Sequence, residues 1–524
     1  MTSEYKPLEN KQIPSFIVDL PIISEERFNV KDYGAIGDGV HLNTEAINKT
    51  IEVCSNAGGG TVVIPSGIWL TGPLRLKSKV NLHVEFGSLV LFTDDYKAYP
   101  LIMSSFEGEP VVRCQSPIDG EGLEDVAITG KGVFDGSGER WRPVKKWKMT
   151  EKQWAKLVES GGTIDEENEI WWPTQKAKNG SSILAELKNK PFVEIEDYLP
   201  VREYLRPNLL SLRKSKRILI DGPTFQNSPA WNLHPWLCQH ITIRNITVRN
   251  PWYSQNGDGL DLESCRYATV TDSVFDVGDD AICIKSGKNE AGRRIAVPSE
   301  DILVERCIVY SGHGGVVIGS EMSGGVRNIK VRDCLFSGTD KGIRFKTVRG
   351  RGGIVENISI EKIRMNKINQ EAIIFQMYYE EEQIDDLEEE VTDGTPVFRN
   401  IYMEDIQCTN ATSAIVLKGL PEMPLDSITF KKISIVSQNG IEVSNAKKLD
   451  FCNMEVDINK GPLMKIKNCD EIFIKEFKNH TQVCTFMDVS GINNRSIKCI
   501  DSKVNCEQML EVATEVNRNQ IVIN

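Results

Sequence analysis

Long apolar runs are missing from this chain of 524 residues. No stretch approaches the roughly 18 uninterrupted apolar residues of a membrane-spanning helix, so no span is expected. The opening MTSEYKPLENKQIPSF has no apolar segment of the kind a secretory leader carries. Either the protein is cytoplasmic or a leader has been removed. An excess of basic charge is also missing. The net charge is −12, whereas a nucleic-acid binder presents a basic face. A polyanionic ligand would therefore need a local cluster of cations. No CxxC pair occurs, which argues against a structural zinc site. The 13 cysteines are odd in number and evenly spread, unlike a disulfide framework. Aromatic residues make up only 7%, whereas glycines number 41. What remains, 40% hydrophobic and 26% charged, is ordinary globular composition with ample material for a large core.

What the chain does have is a short recurring pattern: apolar, any, apolar, any, any, apolar. It reads Ile241-Thr-Ile243-Arg-Asn-Ile246 and returns from Ile302, Ile329, Ile358, Ile401 and Ile428, with weaker copies from Ala268, Leu449 and Ile472. The interval is irregular, mostly about 21–34 residues, within the range of solenoid coils. Alternation in the first half of each unit marks a half-buried strand. No helix-length segments separate these strands, which excludes a doubly wound α/β fold. Each coil must stack on the next to bury its inward residues, so the expected fold is an all-β, single-stranded parallel β-helix. Cys307 and Cys334 occupy the slot that isoleucine fills elsewhere and read as small core residues.

A solenoid needs its ends covered. NTEAINKTIEVCSNAGGG reads as an N-terminal capping helix, with Asn43 or Thr44 as its cap, Ile47 and Ile51 on one face, and Gly58 as its stop. Residues 1–27 read as an extended arm and 28–524 as the β-helix domain. The acidic run at 378–390 reads as a solvated loop. Residues 141–200 interrupt the repeat as a helical insertion. Within it, Thr150 and Gln153 form a capping box. Trp141, Trp147, Trp154, Trp171 and Trp172 lie in or beside it, either as its own small core or as stacking surfaces for sugar rings.

Four unusual stretches fall in successive coils: QNGDGLD (255–261), GDDAICIKSG (278–287), GHGGVVIGS (312–320) and KGIRFKT (341–347). Asp258, Asp279, Asp280, His313, Arg344 and Lys346 thus recur about once per coil. One coil returns the chain to the same face about 4.8 Å further along the axis, so these residues can stack into one polar strip. Three close carboxylates cannot all ionise cheaply, and one pKa should rise. A protonated carboxyl and an ionised partner are the acid and base that glycosidic hydrolysis requires. His313, flanked by glycines, can tune the acid or bind substrate. Arg344 and Lys346 alternate on a strand and so share a face, where they offer paired cations to a substrate carboxylate; Arg349 and Arg351 can extend that cluster. Taken singly, each has a plainer meaning. Asp279-Asp280 suits a calcium site, Asn-Gly-Asp-Gly suits a turn, and the cations suit a solvated face. Their recurrence in consecutive coils favours one site.

With these residues the chain resembles the polygalacturonases of glycoside hydrolase family 28, in particular the bacterial exo-acting branch. That family carries Asn-Thr-Asp, Asp-Asp, Gly-His-Gly and Arg-Ile-Lys in this order on a right-handed parallel β-helix. Here the motifs read Asn256-Gly257-Asp258, Asp279-Asp280, Gly312-His313-Gly314 and Arg344-Phe345-Lys346. Gly257 and Phe345 depart from the pattern at positions that carry no chemistry. The resemblance spans roughly residues 28–480. It implies that Asp279 protonates the glycosidic oxygen, that Asp258 and Asp280 activate water, and that His313 supports the acid. It also implies that Arg344, Lys346, Tyr378, Asn256 and Lys285 bind the galacturonate substrate. No cofactor and no metal are expected.

Carboxylates one coil apart would lie about 5 Å from each other, the spacing of retaining enzymes, whereas the family inverts. The expected activity is hydrolysis of α-1,4-galacturonosyl linkages in pectin with inversion, from the non-reducing end. The insertion would then close one end of the cleft. The alternatives are a galacturonidase acting on rhamnogalacturonan or decorated pectin, a calcium-dependent pectate lyase, and a non-catalytic carbohydrate-binding β-helix. The expected partner is a pectic polysaccharide or oligogalacturonide bound by a monomer. Because pectin is extracellular, a periplasmic or secreted enzyme with its leader removed is expected, and a cytoplasmic enzyme acting on imported oligosaccharides is the alternative.

Overall fold

A computed structural model describes residues 13–190, 192–379 and 387–524. Residues 1–12 of the arm and 380–386 of the acidic run lie outside the described residues. The chain divides into two compact units, one spanning Ile17–Cys283 and the other comprising Ile284–Asn524 together with residues 13–16. Both are built from coils of a parallel β-helix.

In the first unit the strands Gly60–Ile64, Val80–Val84, Glu124–Gly130, Lys216–Asp221, Gln239–Arg244 and Arg266–Thr271 pair in parallel, each with the next. Their register stacks Val62, Leu82, Ile128, Ile220, Ile243 and Val270 into one buried column. A second column runs Val90, Phe134, Phe225, Val248, Phe275. A third ladder, from Leu74–Arg75 through Ile118–Glu121, Leu210–Arg213, Leu233–Trp236 and Leu260–Glu263, forms the remaining face.

The second unit repeats this construction. Ile302, Ile329, Ile358, Ile401 and Ile428 form one column. Cys334 stacks on Ile363, Ile406 and Ile433, so the thiol fills the isoleucine slot as the repeat implies. The polar fifth position of the pattern has a distinct job. Asn245, Arg306, Asp333, Lys362, Asp405 and Lys432 all have φ between 51° and 56°. A left-handed residue there turns the chain between two strands of a coil, at a conformational cost on the order of 1–2 kcal/mol for residues other than glycine.

The capping helix spans Thr44–Asn56 and buries Ile47, Ile51 and Cys54. Its end is a Schellman turn, with Gly58 N bonding Ser55 O and Gly59 N bonding Cys54 O. Its start corrects the expectation of a side-chain cap. Asn43 holds the N-cap position but makes no capping bond. Its amide instead clamps the preceding loop, accepting from Ile36 N at 2.7 Å and donating to His41 O and Leu70 O. The Thr44 hydroxyl accepts from Gly72 N at 2.6 Å. Tertiary hydrogen bonds outcompete the local cap at both residues.

The insertion contains a small antiparallel sheet of Val144–Lys145, Ile170–Trp172 and Thr163–Asp165. Its helix Glu151–Glu159 starts with the expected Thr150–Gln153 capping box. Trp141 is fully buried, edge-on to Tyr96 and Tyr99 with centroids 4.7 and 5.2 Å away, in a cluster with Val112, Val201 and Leu205. Trp171 is also buried and donates to Gly161 O at 2.7 Å. These two tryptophans are structural. Trp147, at 72% exposure, is not.

Candidate active site

The first unit gathers the three aspartates. Asp258 precedes the strand Leu260–Glu263, and Asp280 opens the strand Asp280–Lys285. Ladder bonds from Asn232 N to Asp258 O and from Gly259 N to Asp280 O, each 2.9 Å, set these residues on neighbouring coils. Asp258, Asp279 and Asp280 each offer a carboxylate oxygen within 4.8 Å of the others. Asp258 and Asp280 are 3% and 1% exposed, and Asp279 is half-buried. Asp279 also accepts from Asp280 N at 3.0 Å.

Glycines make this approach of coils possible. A Cβ on Gly257 would lie 1.8 Å from Ser254 Oγ, and one on Gly278 would lie 2.4 Å from the same atom. The departure at Gly257 therefore matches its surroundings, because a threonine there would collide with the buried Ser254. The insertion reaches this region as well. Lys148, 4% exposed, donates to Gly278 O at 3.4 Å, immediately ahead of the Asp279-Asp280 pair. Sequence reasoning missed this lysine, because nothing local distinguishes it within KKWKM.

A buried polar file backs the aspartates. His234 Nε2 lies 2.8 Å from Glu263 Oε2, and His234 Nδ1 lies 3.1 Å from the Asn208 amide. Arg213 pairs with Asp119 at 2.5 Å. Asp119, Arg213, His234 and Glu263 stand on the ladder that runs through Leu260–Glu263, where the register aligns Ser211 with both Asp119 and His234. They escaped detection because only the stacking of coils brings Asp119 to Arg213.

In the second unit, Arg344 and Lys346 share a face as expected. The ring they face is Tyr379, whose centroid lies 5.4 Å from Arg344 Cζ and 4.8 Å from Lys346 Nζ. Tyr378, the expected sugar contact, is buried, with Arg349 Cζ 5.5 Å from its ring centroid. Phe345 anchors the strand from beneath, stacked on Phe375 with centroids 4.2 Å apart. Lys285 Nζ lies 3.5 Å from Glu321 Oε2. Burial opposes ionisation of Glu321, but Lys285, Lys346 and Arg351 outweigh it and hold the carboxyl at about 2. Glu321 is thus the counter-ion of a cation cluster, another residue that sequence reasoning overlooked. Arg349 does not extend this cluster. It makes a bidentate pair with Glu422 at 2.8 and 3.0 Å. His313 is half-buried, its Nε2 3.9 Å from Asp340 Oδ2. Asn256 accepts from the Arg206 guanidinium at 2.7 Å.

Chemically, the aspartate cluster can hold a proton beside an ionised carboxylate, and the cation cluster can hold an anion. Comparison with known proteins bears on the family of the chain. Residues 201–459 match the family model described as glycosyl hydrolases family 28, and residues 27–83 match one described as rhamnogalacturonase A/epimerase, pectate lyase-like. A probable polygalacturonase of Vitis vinifera is 30% identical over 415 residues, covering 77% of this chain and 73% of that protein. An exo-poly-alpha-D-galacturonosidase of Dickeya chrysanthemi is 27% identical over 363 residues, covering 67% of this chain and 57% of that protein. Among solved structures, a hyperthermoactive exopolygalacturonase of Thermotoga maritima superimposes with a TM-score of 0.68 at 32% identity, covering 84% of this chain and 94% of that one. With that identity and coverage added to the family's aspartate, histidine and Arg-x-Lys motifs, the chain belongs to the glycosyl hydrolases of family 28, enzymes that cleave O-glycosyl bonds.

Proposed function

We propose that this enzyme hydrolyses α-1,4-galacturonosyl linkages of pectin, releasing galacturonate from the non-reducing end with inversion. The observation that carries the reading is the cluster of Asp258, Asp279 and Asp280, with carboxylate oxygens within 4.8 Å of one another. Mutual repulsion keeps a proton on one of them, and the half-buried Asp279 donates it to the glycosidic oxygen. Asp258 and Asp280 share and activate the attacking water. His313 supports the acid. Arg344 and Lys346, backed by Tyr379, take a galacturonate carboxylate of the bound chain other than the terminal one, with Lys285 and Asn256 completing the substrate contacts.

Exo action is supported by the names of the Dickeya and Thermotoga relatives and by Lys148, which ties the insertion to the carbonyl of Gly278. Inversion is supported by the family resemblance alone. Carboxylates so close would, under the general spacing rule, suit a retaining enzyme, and here two of the three act on one water. The match over residues 27–83 favours rhamnogalacturonan as the second reading.

The test is a time course on polygalacturonate and on rhamnogalacturonan oligosaccharides, with the product's anomeric proton followed by NMR. Galacturonate monomer of inverted configuration is expected as the first product from polygalacturonate, with rate unchanged by chelator. An unsaturated product absorbing in the ultraviolet, or loss of activity with chelator, would mean a lyase. A retained anomer would remove the shared-water assignment. In the same assay Asp279→Asn should lower kcat by about 10²–10⁴-fold. Near-native hydrolysis by Asp279→Asn together with an inactive Asp280→Asn would reverse the two roles.

A further inference from the structure

The first unit holds a cavity of about 240 Å³ where the insertion meets the coils. The insertion contributes Lys145 and Trp172, and the coils contribute Phe106, Arg113, Arg206 and Asn256. Asn256 stands two residues ahead of Asp258.

Its electrostatics are unusual. Arg206 is buried and spends its N–H groups on neutral acceptors, donating to Pro229 O at 3.0 Å, Gln255 O at 2.9 Å and Asn256 Oδ1 at 2.7 Å. Arg113 lies flat over Phe106, 3.7 Å from its centroid, and donates one bond to Arg206 O. Among the described residues, Arg113, Arg206 and Lys145 have no ion-pair partner within 4.0 Å. Desolvation, assisted for Arg206 by the neighbouring Arg113, pulls the arginines down to about 10 and about 9 respectively. Glu107 also lines the cavity, so its lining carries three cations and one carboxylate. Cations held together without paired carboxylates are costly in a structural role, and cations with aromatic walls suit an acidic sugar.

We infer that this cavity is a subsite for one uronate residue of the substrate, the one at the chain's non-reducing end, whose carboxylate pairs with Arg113 and Lys145 while its ring lies against Trp172. The inference rests on the polyuronate reading above and adds to it the residues that read the chain end. It gives the insertion a second task besides closure, which is selection for a charged terminal residue.

The test uses the full-length protein with Arg113→Gln and, because that residue also packs on Phe106, the half-buried Lys145→Gln as an independent variant. Initial rates on trigalacturonate give KM and kcat separately, and free galacturonate and galactose serve as competing ligands. Each variant should raise KM about tenfold, the loss of one charge-assisted hydrogen bond, with kcat changed far less. Inhibition by galacturonate should weaken to a similar extent in the variants, and galactose should inhibit neither the variants nor the unmodified protein. If the unmodified protein hydrolyses trigalacturonate and both variants keep its KM, the subsite is overturned while the polyuronate reading stands. A fall in kcat at constant KM would overturn it equally. An unmodified protein without activity on trigalacturonate would instead overturn the polyuronate reading from which the subsite is drawn.

Discussion

Glu321 shows how one residue acts only through what surrounds it. Isolated, its carboxyl would titrate near 4.5, and in the fold Lys285, Lys346 and Arg351 hold it at about 2. The linkage follows from the sign of that shift. A carboxyl depressed in the folded state contributes stability that is fully present above about 4.5 and is lost as pH falls from there toward 2. The contribution at neutral pH is on the order of 3 kcal/mol. Glu321→Gln should therefore be destabilised against urea at pH 7, and the gap to the unmodified protein should shrink as pH is lowered to 3. An equal gap at both values would show that the glutamate is not the counter-ion of this cluster. Gly257 makes a similar point from sterics, since Ser254 Oγ leaves no room for a side chain there.

Among the elements, the insertion has the clearest consequence. Its ends are stitched into the core by Trp141 and Val201, so it is a fixed part of the first unit. Its middle supplies Lys148 to Gly278 and Trp172 to the cavity. Replacing residues 145–172 by a short glycine-serine linker keeps Trp141 and Val201 in place. Product analysis by chromatography should then shift from galacturonate monomer toward mixed oligomers. Monomer as the sole early product of the shortened enzyme would remove the insertion from the account of exo action. The strands Lys341–Lys346 and Glu371–Gln376 are the complementary case. Phe345, stacked on Phe375, fixes the inner face of the strand that presents Arg344 and Lys346 outward.

Across the whole chain, the same coil logic accounts for the cysteines. Ten of the 13 are buried. Burial pushes the thiols of Cys54 and Cys408 up to about 11 and those of Cys114, Cys238 and Cys469 up to about 12. A thiol that stays protonated is neither a nucleophile nor a ready partner for exchange. Alkylation of the native protein followed by mass spectrometry should modify the exposed Cys484 and, more slowly, Cys452 and Cys506, with the remainder labelled only after unfolding. Rapid labelling of Cys334 in the native state would contradict its place in the isoleucine column.

Much of this was legible beforehand. The apolar repeat identified the coils, because side chains that must stack every turn have to recur in the chain, and the register columns follow the repeat residue by residue. The order of the aspartate, Gly-His-Gly and Arg-x-Lys motifs pointed to the family for the same reason. Other features were not legible. Nothing local separates Tyr379 from Tyr378, and only the fold sets the Tyr379 ring beside Arg344 and Lys346 and the Tyr378 ring beside Arg349. Asn43 reads as a helix cap, yet its amide is taken by Ile36, His41 and Leu70.

By itself, then, the sequence determined the repeating architecture and pointed to the acids and cations proposed for the site, since both are written as local patterns at regular spacing. Tertiary structure alone decided the partners: Glu321 for Lys285, Glu422 for Arg349, and the cavity where Arg113 and Arg206 meet Trp172. A strand specifies which way its side chains point. What they meet there depends on residues tens of positions away, brought close only when the coils stack.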